Sequence, residues 1–530
     1  MSQALPLSSL VAACKTLSLQ NPQALATAGN TAISAITSDS RAVKPGSIFV
    51  ALLGSNTDGH QYLEKAIKQG AAAIVVIKDR LEQFKRAGLN LPETLPVFYA
   101  ENTYKSLGEL CSAFYGKPGE QLKLVGVTGT NGKTTVTHLI ETILKHQKKS
   151  VGLIGTLGTK TSRKTSSKTS DESASAYENT GHTTPMAPEL QEILATMRDA
   201  NQEYVVMEVS SHALEQHRVF GCDFHVAVLT NLTQDHLDYH KTMAHYRDAK
   251  AMLFKNLQPE NGKRSAVINL DSDEAEVFID ACPENVFRYT YSLNNTQAAV
   301  YVKDIQYSIT GATFTVMTPV GESPVKLQLA GQFSVYNALA ALASGIALEI
   351  PLKDCVKAIE EVPGVRGRFE VVSEKPFVIV DYAHTPDGLE NILNAARQVT
   401  PTGGRLICVF GCGGDRDATK RPKMGRAVER LADMMLVTSD NPRSEDPQQI
   451  ITDIISGIQR FDAKRMLVNA DREQAIHQAI DLANPNDIIV VAGKGHEDYQ
   501  ILADRTIHFD DREVVQNYVK LKSSTNPVSA

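Results

Sequence analysis

The segment LKLVGVTGTNGKTTVTHLIETILKH, residues 122–146, limits the fold more tightly than any other stretch of the chain. An apolar, β-branched run leads into a glycine turn, and the turn opens into a helix-period pattern, so strand, loop and helix follow one another directly. Such a junction suits a triphosphate. Glycines let backbone N–H groups close on the oxygens, the helix dipole favours the anion, and Lys133 adds a point charge. Gly129, Thr130, Asn131, Gly132, Lys133, Thr134 and Thr135 form the expected ATP cradle, with Thr134 as a Mg²⁺ ligand. The full GxxxxGK(S/T) pattern is not met, because Val127 stands five residues before Gly132, flanked by Gly126 and Gly129.

The same alternation recurs. IFVALLG (48–54), AAAIVVI (71–77), YVVMEVS (204–210), FVIVDYA (377–383), RLICVFG (405–411) and DIIVVAG (487–493) are apolar runs followed by turn residues and helical patterns. Strands alternating with helices imply βαβ units and mostly parallel sheets, an α/β fold. At 530 residues the chain exceeds one domain, and FYGKPGEQ (114–121) and EVPGVRGRFE (361–370) interrupt the pattern. Three domains are expected, at 1–115, 116–363 and 364–530. The Ser/Thr/Lys-rich stretch 160–180 reads as a mobile loop of the second, and the final SSTNPVSA as a frayed tail.

Composition narrows the partners. With a net charge of -6 and no basic run interleaved with aromatics, nucleic acid is not an expected partner. No stretch approaches the roughly 18 apolar residues of a membrane helix. The N-terminus has no basic region followed by an apolar core, so a cytoplasmic protein is expected. Seven scattered cysteines without a CxxC pair suggest neither disulfides nor a zinc site, and Cys408 and Cys412 read as packing residues.

A triphosphate also needs a cation. MEVSSH (207–212) puts Glu208 at the end of a predicted strand, where open α/β sheets place ligand groups. TNLTQDHLDYH (230–240) gathers Asp235, His236, Asp238 and His240 in one short loop, a set compatible with a second metal position as well as with ordinary caps and surface groups.

Taken in order, GTNGKTT, EVSSH, TNLTQDHLDYH, YRDAK (246–250), GRFE (367–370), DYAHTPD (381–387), GCGGDRD (411–417), DNPR (440–443) and GKGHED (493–498) closely resemble the motifs of the Mur ligases. The resemblance runs from about Ser38 to about Asp511, and Val127 before the loop is the form that family uses. It implies an N-terminal domain for a UDP-sugar, a central P-loop ATPase and a C-terminal Rossmann-like domain for an amino acid; small-molecule substrates and a monomer are expected. The implied reaction is a Mg²⁺-dependent ligation of peptidoglycan synthesis. ATP phosphorylates the D-glutamate carboxylate of UDP-N-acetylmuramoyl-L-alanyl-D-glutamate, and the amine of the next residue displaces phosphate to form an amide.

By matching position, Glu208 and His236 join Thr134 at the metal, and Lys250 corresponds to the family's carbamylated lysine, so Lys133, Lys250, His236 and Glu208 are the expected catalytic set. Asn337, Arg368 and His384 would lie near the nucleotide. Ser38, Ser40, Ser55, Asn56 and Thr57 would take the UDP-sugar, and His182, Thr183, Thr184, Ser210, Gln216 and Arg218 the muramoyl-dipeptide. His182 departs from the family, in which an Asn often precedes the Thr pair.

The DNPR segment bears on the amino acid. Meso-diaminopimelate carries a far carboxylate that lysine lacks, and a guanidinium meets a carboxylate through two parallel hydrogen bonds. Arg443 therefore points to the diacid; lysine-adding relatives have a small or neutral residue here. Arg416, Asp440, Asn441, Pro442, Gly493 and Glu497 complete the expected pocket, with Glu497 accepting from the substrate ammonium. A lysine-adding member is the nearest alternative. A folylpolyglutamate synthase shares the loop and lysine, but SDSR (38–41) and DNPR count against it.

Overall fold

The computed structural model describes residues 5–54, 57–161, 178, 181–308, 310–460, 462 and 464–525. Ser55, Asn56 and nearly all of the 160–180 segment lie outside the described residues. The strands sort into three main sheets.

The first sheet has the order Ser18–Leu19, Val97–Tyr99, Ala71–Val76, Ser47–Val50, Ala35–Thr37, parallel except for its first pair. Ser38 and Ser40 follow the carboxyl end of Ala35–Thr37, and Thr57 lies in the loop after Ser47–Val50.

In the second sheet, of ten strands, Lys123–Thr128 lies between Phe224–Leu229 and Tyr204–Glu208, parallel to both. Its side chains alternate between two apolar layers. Val125 and Val127 pack with the helices Lys133–His146 and Gln332–Ala347, and Leu124 packs with Ala187–Asp199 and Met243–Lys255. An antiparallel ribbon, Val300–Ser308, Gly311–Thr318 and Gly321–Leu327, extends one edge. These strands alternate buried and exposed positions instead of forming a continuous apolar run, as a strand covered on one face does.

The third sheet has the order Glu370–Glu374, Phe377–Asp381, Ile488–Ala492, Leu406–Phe410, Met434–Val437, Met466–Val468, parallel apart from its first pair. Its central strands are buried on both faces, hence the unbroken runs FVIVD, LICVF and IIVVA. The frayed-tail reading of SSTNPVSA is corrected in part: residues 523–525 close the helix Asp511–Thr525, which Tyr518 ties to Asp481 at 2.9 Å. All seven cysteines are free and buried. Among the described residues no helix is long and apolar enough to cross a membrane.

Candidate active site

Val127 is fully buried in the core, so the tight turn begins only after its strand, at Gly129. Gly129 has φ +148°, and a Cβ there would collide with the Thr230 hydroxyl. Gly132, at φ +85°, caps the helix Lys133–His146, and a Cβ on it would strike the Asn337 side-chain oxygen. Both glycines answer a close approach as well as a left-handed backbone. Lys133 folds back on the loop, donating to the carbonyls of Gly129 (2.9 Å) and Thr130 (2.8 Å). The segment after Phe224–Leu229 holds the loop from outside. The Thr130 N–H donates to the Asn231 carbonyl and the Asn131 N–H to the Asn231 side chain, both at 2.9 Å.

Glu208 is paired in register with Val127, which sets its carboxylate beside the start of the loop. It accepts from the Thr134 hydroxyl, the Thr156 N–H and the Thr156 hydroxyl, each at 2.9 Å. Gly155 leaves room for it, since a Cβ there would strike the carboxylate. The side chain is 1% exposed and none of these partners carries charge. A buried carboxylate beside a hydroxyl, without a countercharge in its hydrogen bonds, is a hard-oxygen pair suited to Mg²⁺.

Lys250 comes from the helix Met243–Lys255, is 1% exposed, and donates to the same Gly129 carbonyl as Lys133, at 2.8 Å. Its ammonium lies 4.5 Å from the Tyr246 ring centre. Burial, reinforced by the Lys133 charge, pushes its pKa well below that of an ordinary lysine. The neutral amine so favoured is the form able to add carbon dioxide and become an anionic carbamate. His236 stands at φ +55° before the turn Leu237–His240. Burial lowers its pKa to about 4, leaving a lone pair at neutral pH. The described groups of the TNLTQDHLDYH loop, Asp235, His236 and His240, do not share one set of partners. His236 lies 3.4 Å from Asp235, His240 turns instead to Ser211 and Glu215, and the Asp238 side chain lies outside the described residues.

The residues expected to take the muramoyl-dipeptide are contiguous beside Glu208. The Thr184 hydroxyl donates to the Glu208 carbonyl (2.9 Å) and accepts from the Ser210 N–H (3.0 Å). Arg218 donates to the Thr184 carbonyl (2.9 Å) and to Gln216 (2.9 and 2.7 Å). Thr183 meets Thr156 at 3.2 Å, and His182 is exposed at the edge of this group.

Loops from the third sheet reach over the phosphate loop. Arg368 lies 4.6 Å over the Tyr382 ring and donates to the Thr134 hydroxyl at 3.2 Å. His384 hydrogen-bonds the Tyr382 carbonyl at 2.8 Å, and burial with the Lys420 charge lowers its pKa to about 4. Asp387 accepts from the Asn131 amide (2.5 Å) and the Thr233 hydroxyl (2.9 Å).

The expected amino-acid pocket occupies the carboxyl ends of the strands Leu406–Phe410, Met434–Val437 and Ile488–Ala492. Arg443, at φ +54°, spends one nitrogen on the Gly414 carbonyl (2.8 Å). A Cβ on Gly413 would stand 2.9 Å from that nitrogen and 3.7 Å from Arg416, so both arginines border Gly413. Asp440 faces Gly493, whose missing Cβ would lie 2.6 Å from its carboxylate, and the Pro442 carbonyl closes the turn by accepting from the Glu445 N–H. Glu497 accepts from Asn441 (2.8 Å) and from the fully buried Lys494 (3.3 Å), and burial raises its pKa.

Sequence reasoning missed Thr156, Asn231, Thr233, Tyr246, Tyr382, Asp387 and Lys494 as site residues. Most fall inside the motifs already singled out, so the signal was position within the motif. Thr156 had only a glycine-ended strand before it.

Known families match the chain in three consecutive segments. Residues 32–115 match the Mur ligase family catalytic domain, 127–345 the Mur ligase middle domain and 367–495 the Mur ligase glutamate ligase domain. The UDP-N-acetylmuramoyl-L-alanyl-D-glutamate–2,6-diaminopimelate ligase of Synechocystis sp. is 46% identical over 501 residues, covering 93% of each chain. A solved structure of a protein with that same name shares 34% identity at TM-score 0.64, covering 93% of this chain and 96% of that one. The MurF ligase from Thermotoga maritima in complex with ADP is alike in fold, at 19% identity and TM-score 0.58, with 92% and 98% covered. With three of its domain models matched in order and close relatives aligned over nearly the whole length, the chain belongs to the Mur ligase family.

Proposed function

We propose that the chain is an ATP-dependent ligase that adds meso-diaminopimelate to UDP-N-acetylmuramoyl-L-alanyl-D-glutamate, giving the UDP-muramoyl-tripeptide of peptidoglycan synthesis. The observation that carries this reading is the meeting of two sheets at one loop, where Arg368 reaches Thr134 and Asp387 reaches Asn131. The sheet that brings them also carries the Arg443–Glu497 pocket. Relatives at 46% and 47% identity bear the name of this activity.

A carboxylate is a poor electrophile, so the reaction proceeds in two displacements. The D-glutamate carboxylate oxygen attacks the γ-phosphorus and the bond to the β-phosphate oxygen breaks, releasing ADP. The transfer needs in-line positioning and charge neutralisation. Lys133 and the loop N–H groups supply the cradle, and Arg368, turned from Thr134 to phosphate, adds a second cation. The amine of diaminopimelate then attacks the acyl carbon, phosphate leaves with its electron pair, and the nitrogen loses a proton. Ser210, Gln216, Arg218 and the pair Thr183 and Thr184 orient the acceptor carboxylate. Ser38, Ser40 and Thr57 hold the UDP end. Thr134 and Glu208, with His236 and carbamylated Lys250, would hold Mg²⁺, which supplies neutralisation of the phosphate oxygens. The three units 1–115, 116–363 and 364–530 then serve UDP-sugar, ATP and amino acid within one monomeric chain. Cytoplasmic placement follows from the supply of ATP and UDP-sugar.

The test is mass spectrometry of the product made from UDP-muramoyl-dipeptide, ATP, Mg²⁺ and equal lysine and diaminopimelate. A diaminopimelate adduct with one ADP per product is expected. A lysine adduct would reassign the pocket, and ATP binding without ligation would remove the enzyme reading.

A further inference from the structure

Behind the phosphate site, the helices Ser211–Glu215, Leu237–His240 and Met243–Lys255 bring together Glu215, His240 and His245, whose ligand atoms all lie within 4.8 Å of one another. The surrounding hydrogen bonds decide which ring atoms face inward. His245 Nδ1 lies 3.0 Å from the His240 carbonyl oxygen, which can only accept. Nδ1 therefore donates there, and Nε2 faces Glu215 Oε1, 3.3 Å away. His240 is fully buried, with Nε2 2.9 Å from the Ser211 hydroxyl and Nδ1 2.9 Å from Glu215 Oε2. Neither that Nδ1 nor that oxygen makes a hydrogen bond, although they are in contact. Two such atoms, close but out of line, converge on a third point. A metal-bound histidine commonly donates its other ring N–H to a backbone carbonyl or similar acceptor, and each ring here has one.

We propose that Glu215, His240 and His245 bind a divalent cation of the zinc class, at a site distinct from the Mg²⁺ position at Thr134 and Glu208. Two imidazoles and one carboxylate suit zinc, nickel or copper ions better than magnesium. Atoms about 2.1 Å from a shared ion stand about 3.4 Å apart at the tetrahedral angle, and one ligand atom from each of the three residues already lies within 4.8 Å of the others. The half-exposed His245 leaves the fourth position open to water. The ion pins two short helices that adjoin Gln216 and His236 to the longer helix that carries Lys250, so it acts as a clasp for the reaction site and not as part of the chemistry.

Chelator-treated full-length protein in excess Mg²⁺ is titrated with Zn²⁺, with bound zinc read by equilibrium dialysis and stability by thermal melting. One tight equivalent and a Tm rise of a few degrees are expected. Both should vanish in Glu215→Gln and in His245→Gln, and persist in His236→Ala. His245 is exposed enough that its substitution leaves the fold intact, so that variant keeps the test open if Glu215→Gln does not fold. Absence of a tight equivalent in the parent overturns the site. So does an equivalent that survives His245→Gln, or one that is lost in His236→Ala alone.

Discussion

The side-chain amide of Asn131, in the phosphate loop, donates to the carboxylate of Asp387, on the first turn of a helix of the third sheet, at 2.5 Å. Thr233 donates to the same oxygen, so one acid gathers two segments of the central sheet. Burial raises its pKa, as for a carboxylate held away from water. Asp387→Ala leaves two half-buried donors, Asn131 and Thr233, short of a partner, a loss of about 1–3 kcal/mol. In steady-state assays kcat/KM for ATP should fall roughly 10- to 100-fold while KM for the UDP-sugar stays constant. An unchanged value for ATP would show that the clasp is incidental.

Arg443→Ala should weaken diaminopimelate use by a few kcal/mol, the scale of a lost buried charge pair. Its guanidinium has one nitrogen on Gly414, leaving the rest of the fork for a substrate carboxylate. Competition between lysine and diaminopimelate in this variant measures the effect directly. If kcat/KM for diaminopimelate does not move, Arg443 is a loop brace only.

Lys250→Ala should depress kcat on the order of 10²-fold or more, by removing the carbamate that would hold the cation at the phosphates. Partial recovery with acetate or formate is expected, because a small carboxylate can take the place of the carbamate. A variant that is inactive and stays inactive across a range of acid concentrations would mean that Lys250 serves only to brace the Gly129 carbonyl.

Acid should destabilise the fold before it titrates most carboxylates. His384 is held at about 4, by burial and the Lys420 charge, and His496 at about 3, by burial and the Arg368 charge. Above pH of about 6.5 these rings are neutral both folded and unfolded, so they contribute no pH dependence. As pH falls toward 4, the unfolded chain binds protons that the folded chain refuses, and stability drops. Thermal melts should show Tm falling across that window. In a His384→Gln, His496→Gln double variant the slope should flatten.

Much of this was legible beforehand, for a physical reason. Strands buried on both faces, such as those ending at Glu208 and Ala492, must be continuous apolar runs, and phosphate-binding loops must carry glycine, so both leave local marks. Val127 was legible as an exception and intelligible only in the fold, where it fills the core instead of lining the loop. Long-range partners leave no such mark. Nothing near Thr156 announces that it will meet Glu208 across 52 positions, nor that Asp387 will cross 256 positions to Asn131. The ribbon at 300–327 escaped notice because a register shift between Lys303 and Gln306 interrupts the alternation of its first strand.

Arg368 and Asp387 are fixed to the sheet whose far loops form the Arg443 pocket, and both end on the nucleotide loop. A rotation of that sheet cannot change one site alone. Thermodynamic reciprocity then sets a rule for inhibitors: whatever factor ATP imposes on the affinity of a compound in the amino-acid pocket, the compound imposes the same factor on ATP. A ligand that wedges the pocket open would thus compete with a nucleotide it never touches.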